Sequence, residues 1–259
     1  MVLLRVIHTL VLWLWAMAWC LLLAWVAMAV VLVDPEASLA IPRRIWPGPL
    51  FWMARIRLRV EPLPDLDWKK PHVFVMNHQS NLDIPAACAA LPVNIRFVAK
   101  RSLAFIPFVG WYMWLAGMIF VNRSDRASAV SSMRRAGERI RAGANILTYP
   151  EGTRSRGGNI LPFKKGTFVL ALEAGVPIVP IAIEGSRAVQ PSDDWTIRPG
   201  VIRVKVGAPI PTKGRGPEAR DELLREVREA VIRLHREIGG QGDGGAGAAD
   251  DGQGREVAA

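Results

Sequence analysis

The reading of this chain turns on Val73-Phe74-Val75-Met76-Asn77-His78-Gln79-Ser80-Asn81-Leu82-Asp83-Ile84-Pro85. Its first four residues are an unbroken apolar run, the pattern of a strand buried on both faces. Ile84 to Leu91 reads as a helix, so Asn77 to Asp83 is a strand-to-helix turn. The turn carries a histidine and an aspartate five positions apart. An imidazole there can meet a substrate while a carboxylate holds one ring nitrogen, which is the minimum for general base catalysis. The spacing alone is a weak signal. Asp83 equally fits a helix N-cap, because Pro85 suits a helix's first turn, and one oxygen could cap while the other meets His78. His78 equally fits a polar side chain satisfied within a turn.

Working outward, strands and helices alternate. Arg55-Ile56-Arg57-Leu58-Arg59-Val60 has period two and predicts a half-buried or edge strand. Further strands are predicted at 95–99, 118–121, 145–149, 177–183 and 200–206. Pro107 to Ala116 is an aromatic-rich helix or loop. Ser124 predicts a cap for a helix over 125–142, Gly175 stops a helix over 166–174, and Pro217 opens a last amphipathic helix. This order predicts an α/β domain: a largely parallel central sheet flanked by helices, with functional groups at the carboxyl ends of its strands. Two prolines at 177 and 180 restrict that strand to an edge, or to positions needing no N–H.

Residues 9–33 carry no charge and would span ~37 Å as a helix, more than the ~30 Å of a bilayer core. They predict a transmembrane or membrane-embedded helix over 1–34. A signal peptide cleaved near Ala27-Met28-Ala29 and a hairpin in one leaflet are alternatives, although the apolar run is long for the first. Asp34-Pro35 ends the segment. Residues 35–54 mix Arg43 and Arg44 with Trp46, Phe51 and Trp52, as at a lipid headgroup surface or in a solvated linker. The folded domain is expected over 55–238. A Gly-, Ala- and Asp-rich tail over 239–259 is expected to be disordered. The GxGxxG match at 242–247 lies in that tail without a preceding strand, so it is no dinucleotide site.

Lys and Arg exceed Asp and Glu by 33 − 23, giving +10. The tail holds four acids and one arginine, −3, so the rest carries +13. Such an excess suits an anionic partner: nucleic acid, acidic lipid or a phosphorylated substrate. Nucleic acid is suggested by charge alone, with no stacking or groove-reading motif. Cys20 and Cys88 form no disulfide framework and no zinc spacing. No metal and no cofactor is called for.

Several other stretches could carry chemistry. Tyr149-Pro150-Glu151-Gly152-Thr153-Arg154-Ser155 follows a strand. Arg154 offers a guanidinium fork for a phosphate, Thr153 and Ser155 offer hydroxyls, and Gly152 permits close approach. An ordinary loop with Glu151 paired to Arg154 would look the same. Lys164-Lys165 precede a helix, where anions are favoured. Gly117 to Arg123 is a strand ending in a cation, either a second phosphate arm or a turn residue. Lys100-Arg101 ends another strand.

The stretches NHQSNLD (77–83), GMIFVNR (117–123), YPEGTRS (149–155) and VPIVPIAI (176–183) occur in that order. As a set they resemble the four blocks of the glycerolipid acyltransferase family, most of all its bacterial lysophosphatidate acyltransferases, over roughly 55–210. Lys100 and the stretch 106–111 are similar too. Two positions depart from the family pattern: Asn122 stands where an acid is usual, and Ser102 where a glutamate is common. The resemblance implies acyl transfer from acyl-CoA or acyl-carrier protein to the free hydroxyl of a lysophospholipid, 1-acyl-glycerol-3-phosphate, giving phosphatidic acid. It implies His78 as base, Asp83 as its support, and Glu151, Gly152, Thr153, Arg154 and Arg123 around the acceptor. Lys100, Lys164 and Lys165 add cations. It also implies an inner-membrane location with the catalytic domain on the cytoplasmic side. Another acceptor, such as a lyso-ornithine lipid, a hydrolase using the same pair on water, and a non-catalytic anionic-lipid binder are the rival readings.

Overall fold

The computed structural model describes residues 2–122 and 126–244, with side chains described over 6–122 and 131–244. Helix α1 (Val2–Val31) leads into three short helices, α2 (Pro35–Ser38), α3 (Ala40–Arg44) and α4 (Pro47–Met53). Strand β1 (Ile56–Val60), β2 (Val73–Met76), α5 (Asp83–Ala90), β3 (Ile95–Lys100), a 3-10 turn (Arg101–Phe105) and α6 (Val109–Leu115) follow. Then come β4 (Ile119–Val121), α7 (Arg126–Arg141), β5 (Asn145–Thr148), α8 (Gly166–Ala174), β6 (Ile178–Glu184), α9 (Ser186–Val189), β7 (Gly200–Val206) and α10 (Arg220–Glu237). The proposed cap at Ser124 lies outside the described residues.

The strands form one sheet in the order β1-β7-β6-β2-β5-β3-β4. Every pairing is parallel except β6 with β7. The sheet is therefore largely parallel, and β1 is an edge strand, both as predicted. The unbroken apolar run of β2 has its reason here. Phe74 and Met76 pack with Ala86, Ala87 and Leu91 on one face. Val73 and Val75 pack with Phe168, Leu170 and Val227 on the other. Gly175 ends α8 at φ +64°, where an L side chain would be strained.

Of the two positions open to the proline-bearing strand, the structure shows the second. Strand β6 is interior, not an edge, despite Pro180. Its ladder with β7 starts at Ile181, and the Pro180 carbonyl accepts from Gly207 N at 2.8 Å. A residue's N–H and C=O point to the same side of a strand. The missing N–H thus faces β7 just beyond the ladder, where no partner is required.

Helix α1 lies along the domain. Leu12 joins the main core, Trp13 Nε1 donates to Trp195 O at 2.7 Å, and the Trp25 and Phe108 rings meet tilted, with centroids 4.6 Å apart. Leu23, Ala27 and Val31 pack on Tyr112 of α6 and on Ala116 just after it. The outward face stays apolar, with Leu10, Leu14, Met17, Leu22 and Trp25 exposed. Residues 6–31 are long and apolar enough to cross a membrane. Asp34 Oδ1 caps α2 by accepting Glu36 N and Ala37 N, both at 2.9 Å. Residues 35–54, read as an interfacial linker, are helical, and Arg43 is tied to Asn94 and Pro92.

The tail expected to be disordered is packed through its first residues. Gly242 O accepts from Ile160 N at 2.8 Å, and Asp243 pairs with Arg236 at 2.9 Å. Residues 245–259 lie outside the described part.

Candidate active site

The turn after β2 is fixed by its own backbone donors. Asn77 starts it by exchanging two hydrogen bonds with Ile183 of β6, donating to its carbonyl at 3.0 Å and accepting its N–H at 2.8 Å. Asp83, fully buried, then gathers the turn onto one oxygen. Asp83 Oδ2 lies 2.6 Å from His78 Nδ1 and accepts Gln79 N at 2.7 Å and Ser80 N at 2.8 Å. The N-cap reading of Asp83 is thereby corrected. Leu82 occupies the cap position of α5 without a side-chain bond, and Asp83 faces back into the turn. An acceptor-only carboxylate at Nδ1 keeps the proton there, leaving Nε2 as the basic nitrogen.

The stretch after β5, the neighbour of β2, completes the histidine's surroundings. The Tyr149 ring stacks on His78 with centroids 4.1 Å apart and planes 21° apart. Burial, reinforced by the nearby Asp83 charge, holds the Tyr149 phenol well above its ordinary range, so the imidazole rests on a neutral ring. Glu151 differs from its expected role. It is buried, with Oε1 accepting His78 N at 2.7 Å and Oε2 accepting Leu161 N at 3.0 Å. It braces the turn, its two oxygens taken by backbone N–H groups, while Arg154 is held by Asn81. Burial pushes its carboxyl up to about 7, against the opposing effect of those two N–H groups. Ser155 N donates to His78 O at 2.8 Å, so both backbone groups of His78 are held by this second stretch.

The cations divide. Arg154 Nη1 donates to Asn81 Oδ1 at 2.9 Å, which sets its guanidinium beside the histidine turn. Gly152 has φ +73°, and a Cβ there would lie 2.8 Å from the Lys164 Nζ, so Lys164 lies over this glycine. Thr153 is exposed next to them. Lys165 leaves the cluster and pairs with Asp221 of α10 at 3.2 Å. Lys100 is exposed at the end of β3, one strand beyond β5, and Arg123 lies outside the described residues.

Neither nearby nucleophile type is available. Burial pushes the Cys88 thiol up to about 12. Ser80 is buried and donates to Gln190 Oε1 at 2.9 Å. A second polar cluster, unseen in the sequence, stands behind the turn. His235, fully buried on α10, lies 2.6 Å from Glu184 Oε2 and 3.1 Å from Gln79 Nε2. Its Nδ1 accepts Gly242 N at 3.1 Å, so Nε2 carries the proton given to Glu184. Burial alone would raise the Glu184 carboxyl, but His235, followed by the Gly185 N–H and Gln79, outweighs it and holds it below the ordinary range.

The model of a family described as acyltransferase matches residues 55–184, which contains every element of this turn. Human 1-acyl-sn-glycerol-3-phosphate acyltransferase alpha is 35% identical over 191 residues, 73% of this chain and 68% of that protein. The chain belongs to the acyltransferase family. A 1-acyl-sn-glycerol-3-phosphate acyltransferase of Saccharomyces cerevisiae is 34% identical over 66% of this chain and 57% of its own length. The crystal structure of the 1-acyl-sn-glycerophosphate (LPA) acyltransferase PlsC from Thermotoga maritima superposes with a TM-score of 0.78 at 28% identity. That match covers 90% of this chain and 95% of that one. In this acyltransferase two apolar cavities lie against α5, and the second of them reaches the histidine turn. One of about 160 Å³ lies between α1, α5 and α6, lined by Ala24, Trp46, Ile84, Cys88 and Tyr112. The other, of about 140 Å³, reaches Asn81, Leu82 and Pro85 from Trp15 and Leu50.

Proposed function

We propose that this acyltransferase moves an acyl chain from an acyl thioester, acyl-CoA or acyl-carrier protein, to the free hydroxyl of 1-acyl-glycerol-3-phosphate. The product is phosphatidic acid. The observation that carries the chemistry is the 2.6 Å contact of His78 Nδ1 with Asp83. It leaves Nε2 free to take the acceptor's hydroxyl proton as oxygen attacks the thioester carbon. The tetrahedral intermediate collapses, the C–S bond breaks, and the thiolate recovers that proton as a thiol. General base help of this kind is worth about 10²–10⁴-fold. Charge stabilisation by Asp83 keeps the transient imidazolium favourable. A direct transfer without an acyl-enzyme accords with the burial of Cys88 and Ser80.

Arg154, with Arg123, Lys100 and Lys164, is assigned to the acceptor phosphate, and Gly152 and Thr153 line its path. Support comes from Arg154 beside Asn81 and from strand order, which sets the ends of β2, β5, β3 and β4 in a row. The two apolar cavities have the character that acyl chains require. The outward apolar face of α1 is assigned to lipid, with the domain on the cytoplasmic side of the inner membrane, where thioester donors are soluble. The experiment is acyl transfer by purified protein across lysolipid acceptors with each donor. Preference for 1-acyl-glycerol-3-phosphate is the expected result. Preference for an acceptor without phosphate, or release of free fatty acid only, would overturn the assignment.

A further inference from the structure

Away from the histidine turn, a groove of about 400 Å³ runs along β4, the last strand of the sheet. Arg101 of the 3-10 turn and Arg135 and Arg139 of α7 line it, with Phe105 and Trp114 at its rim. Among the described residues none of these three guanidinium groups has a carboxylate partner. Helix α7 has five arginines and a single acid, Glu138. Two of the three cations are oriented. Arg135 donates to Ser131 Oγ at 2.7 Å and to Ser132 Oγ at 2.8 Å. Arg139 packs against Gly117, where a Cβ would come within 3.0 Å of its guanidinium carbon and 3.1 Å of Arg96 Nε. Like charges that line one groove without ion-pair partners among the described residues repel one another, and an anion would join them.

The rim says which kind of anion. Phe105 is 74% exposed and Trp114 69%, and Trp111 beside them is also exposed. Phe108 links this aromatic group to Trp25 of α1, with ring centroids 4.6 Å apart, and to Trp111 at 5.2 Å. The groove is thus continuous with the apolar face assigned to lipid. Aromatic rings with cations behind them are the composition of the headgroup layer. We propose that this groove binds the phosphate of an anionic phospholipid of the surrounding bilayer, at a site apart from the acceptor. The proposal rests on the membrane reading of α1. It gives the enzyme a second contact with the bilayer, which would hold the histidine turn at a fixed height over the lipid.

The test uses the full chain in detergent, titrated with dihexanoyl phosphatidylglycerol, dihexanoyl phosphatidylcholine or inorganic phosphate, and followed by tryptophan fluorescence. A saturable response to phosphatidylglycerol alone is expected, reduced in amplitude in Trp114→Phe. Arg135→Gln/Arg139→Gln should weaken it about thirtyfold, equivalent to ~1 kcal/mol for each charge lost near an anionic surface. Arg225→Gln/Arg233→Gln, which removes the same charge from α10, should leave affinity within a small factor. Arg154→Ala should do the same. Equal responses to both lipids, phosphate binding as tightly as phosphatidylglycerol, or equal loss in the α10 variant would each overturn the proposal. Flotation with phosphatidylcholine vesicles tests the membrane reading separately. A chain that floats yet shows no phosphatidylglycerol preference refutes the groove alone, and one that does not float refutes both.

Discussion

Replacing Asp83 by Asn separates the charge of this carboxylate from its place in the fold. Oδ2 accepts three hydrogen bonds, from His78 Nδ1 and the Gln79 and Ser80 N–H groups, within 2.6–2.8 Å. Two of those donors are backbone groups that cannot reverse. They select the amide oxygen for that position and put the NH₂ where Oδ1, which has no partner among the described residues, now stands. The His78 proton therefore stays on Nδ1, and Nε2 stays basic. What disappears is the negative charge facing the imidazolium that forms during attack. Two unit charges about 4 Å apart interact by ~4 kcal/mol at an effective dielectric of ~20. That predicts a fall in kcat of about 10³-fold, with the acceptor KM unchanged. Asp83→Ala is a harsher change. It strands two backbone N–H groups, at ~1–3 kcal/mol each, and so costs about 2–6 kcal/mol of a typical total near 5–15 kcal/mol. The assay pairs steady-state acyl transfer with thermal unfolding by circular dichroism. Near-normal kcat in Asp83→Asn, or an unfolding loss equal to that of Asp83→Ala, would refute this account.

Other predictions follow from the neighbours of His78. Glu151 has its folded pKa raised from 4.5 to about 7, so the folded state binds more protons than the unfolded chain between those values. Stability from this group is full below about pH 4.5 and is lost as pH rises through about 7, by about 3 kcal/mol at most. Urea unfolding of Glu151→Gln should show a flatter pH dependence across that window, and an unchanged slope would count against it. Tyr149→Leu should lower kcat by up to about tenfold, the worth of an aromatic contact of ~0.5–1.5 kcal/mol. Tyr149→Phe should restore it, because the hydroxyl has no hydrogen-bond partner among the described residues; a deficient Phe variant would mean the hydroxyl matters. Arg154→Ala should raise the acceptor KM, whereas Lys165→Ala should not, since Lys165 is engaged by Asp221. A reversed order would contradict the division of the cations.

Most of the frame was legible because it is written in local pattern. The apolar run 73–76 needed only its length and lack of alternation to be read as a central strand. Gly175 marked the end of α8, and Leu223, Val227 and Val231 marked the inner face of α10, where all three are buried. What escaped depends on residues far apart in the chain. Glu151 looked like part of a phosphate pocket because nothing local reveals that Leu161 and His78 enclose it. Tyr149 was visible in its stretch, but stacking on His78 arises only when β5 lies beside β2. Lys165 meets Asp221 and Gln79 meets His235 across long separations, which no spacing rule encodes. The prolines left two positions open, and only the strand order shows that Pro180 is interior, at a point where the ladder does not use an N–H. The tail read as disordered on composition, yet a single acceptor, His235 Nδ1, helps hold Gly242.

The central claim is that His78 is the base. Its most direct test is acyl transfer by purified His78→Ala, with circular dichroism and thermal unfolding run on the same preparation. Among the described residues the side chain makes one hydrogen bond and one stacking contact, while its backbone bonds to Glu151 and Ser155 do not depend on the ring. The variant should therefore keep a native spectrum and lose activity by about 10²–10⁴-fold or more. A folded His78→Ala protein with activity comparable to the wild type would contradict the mechanism.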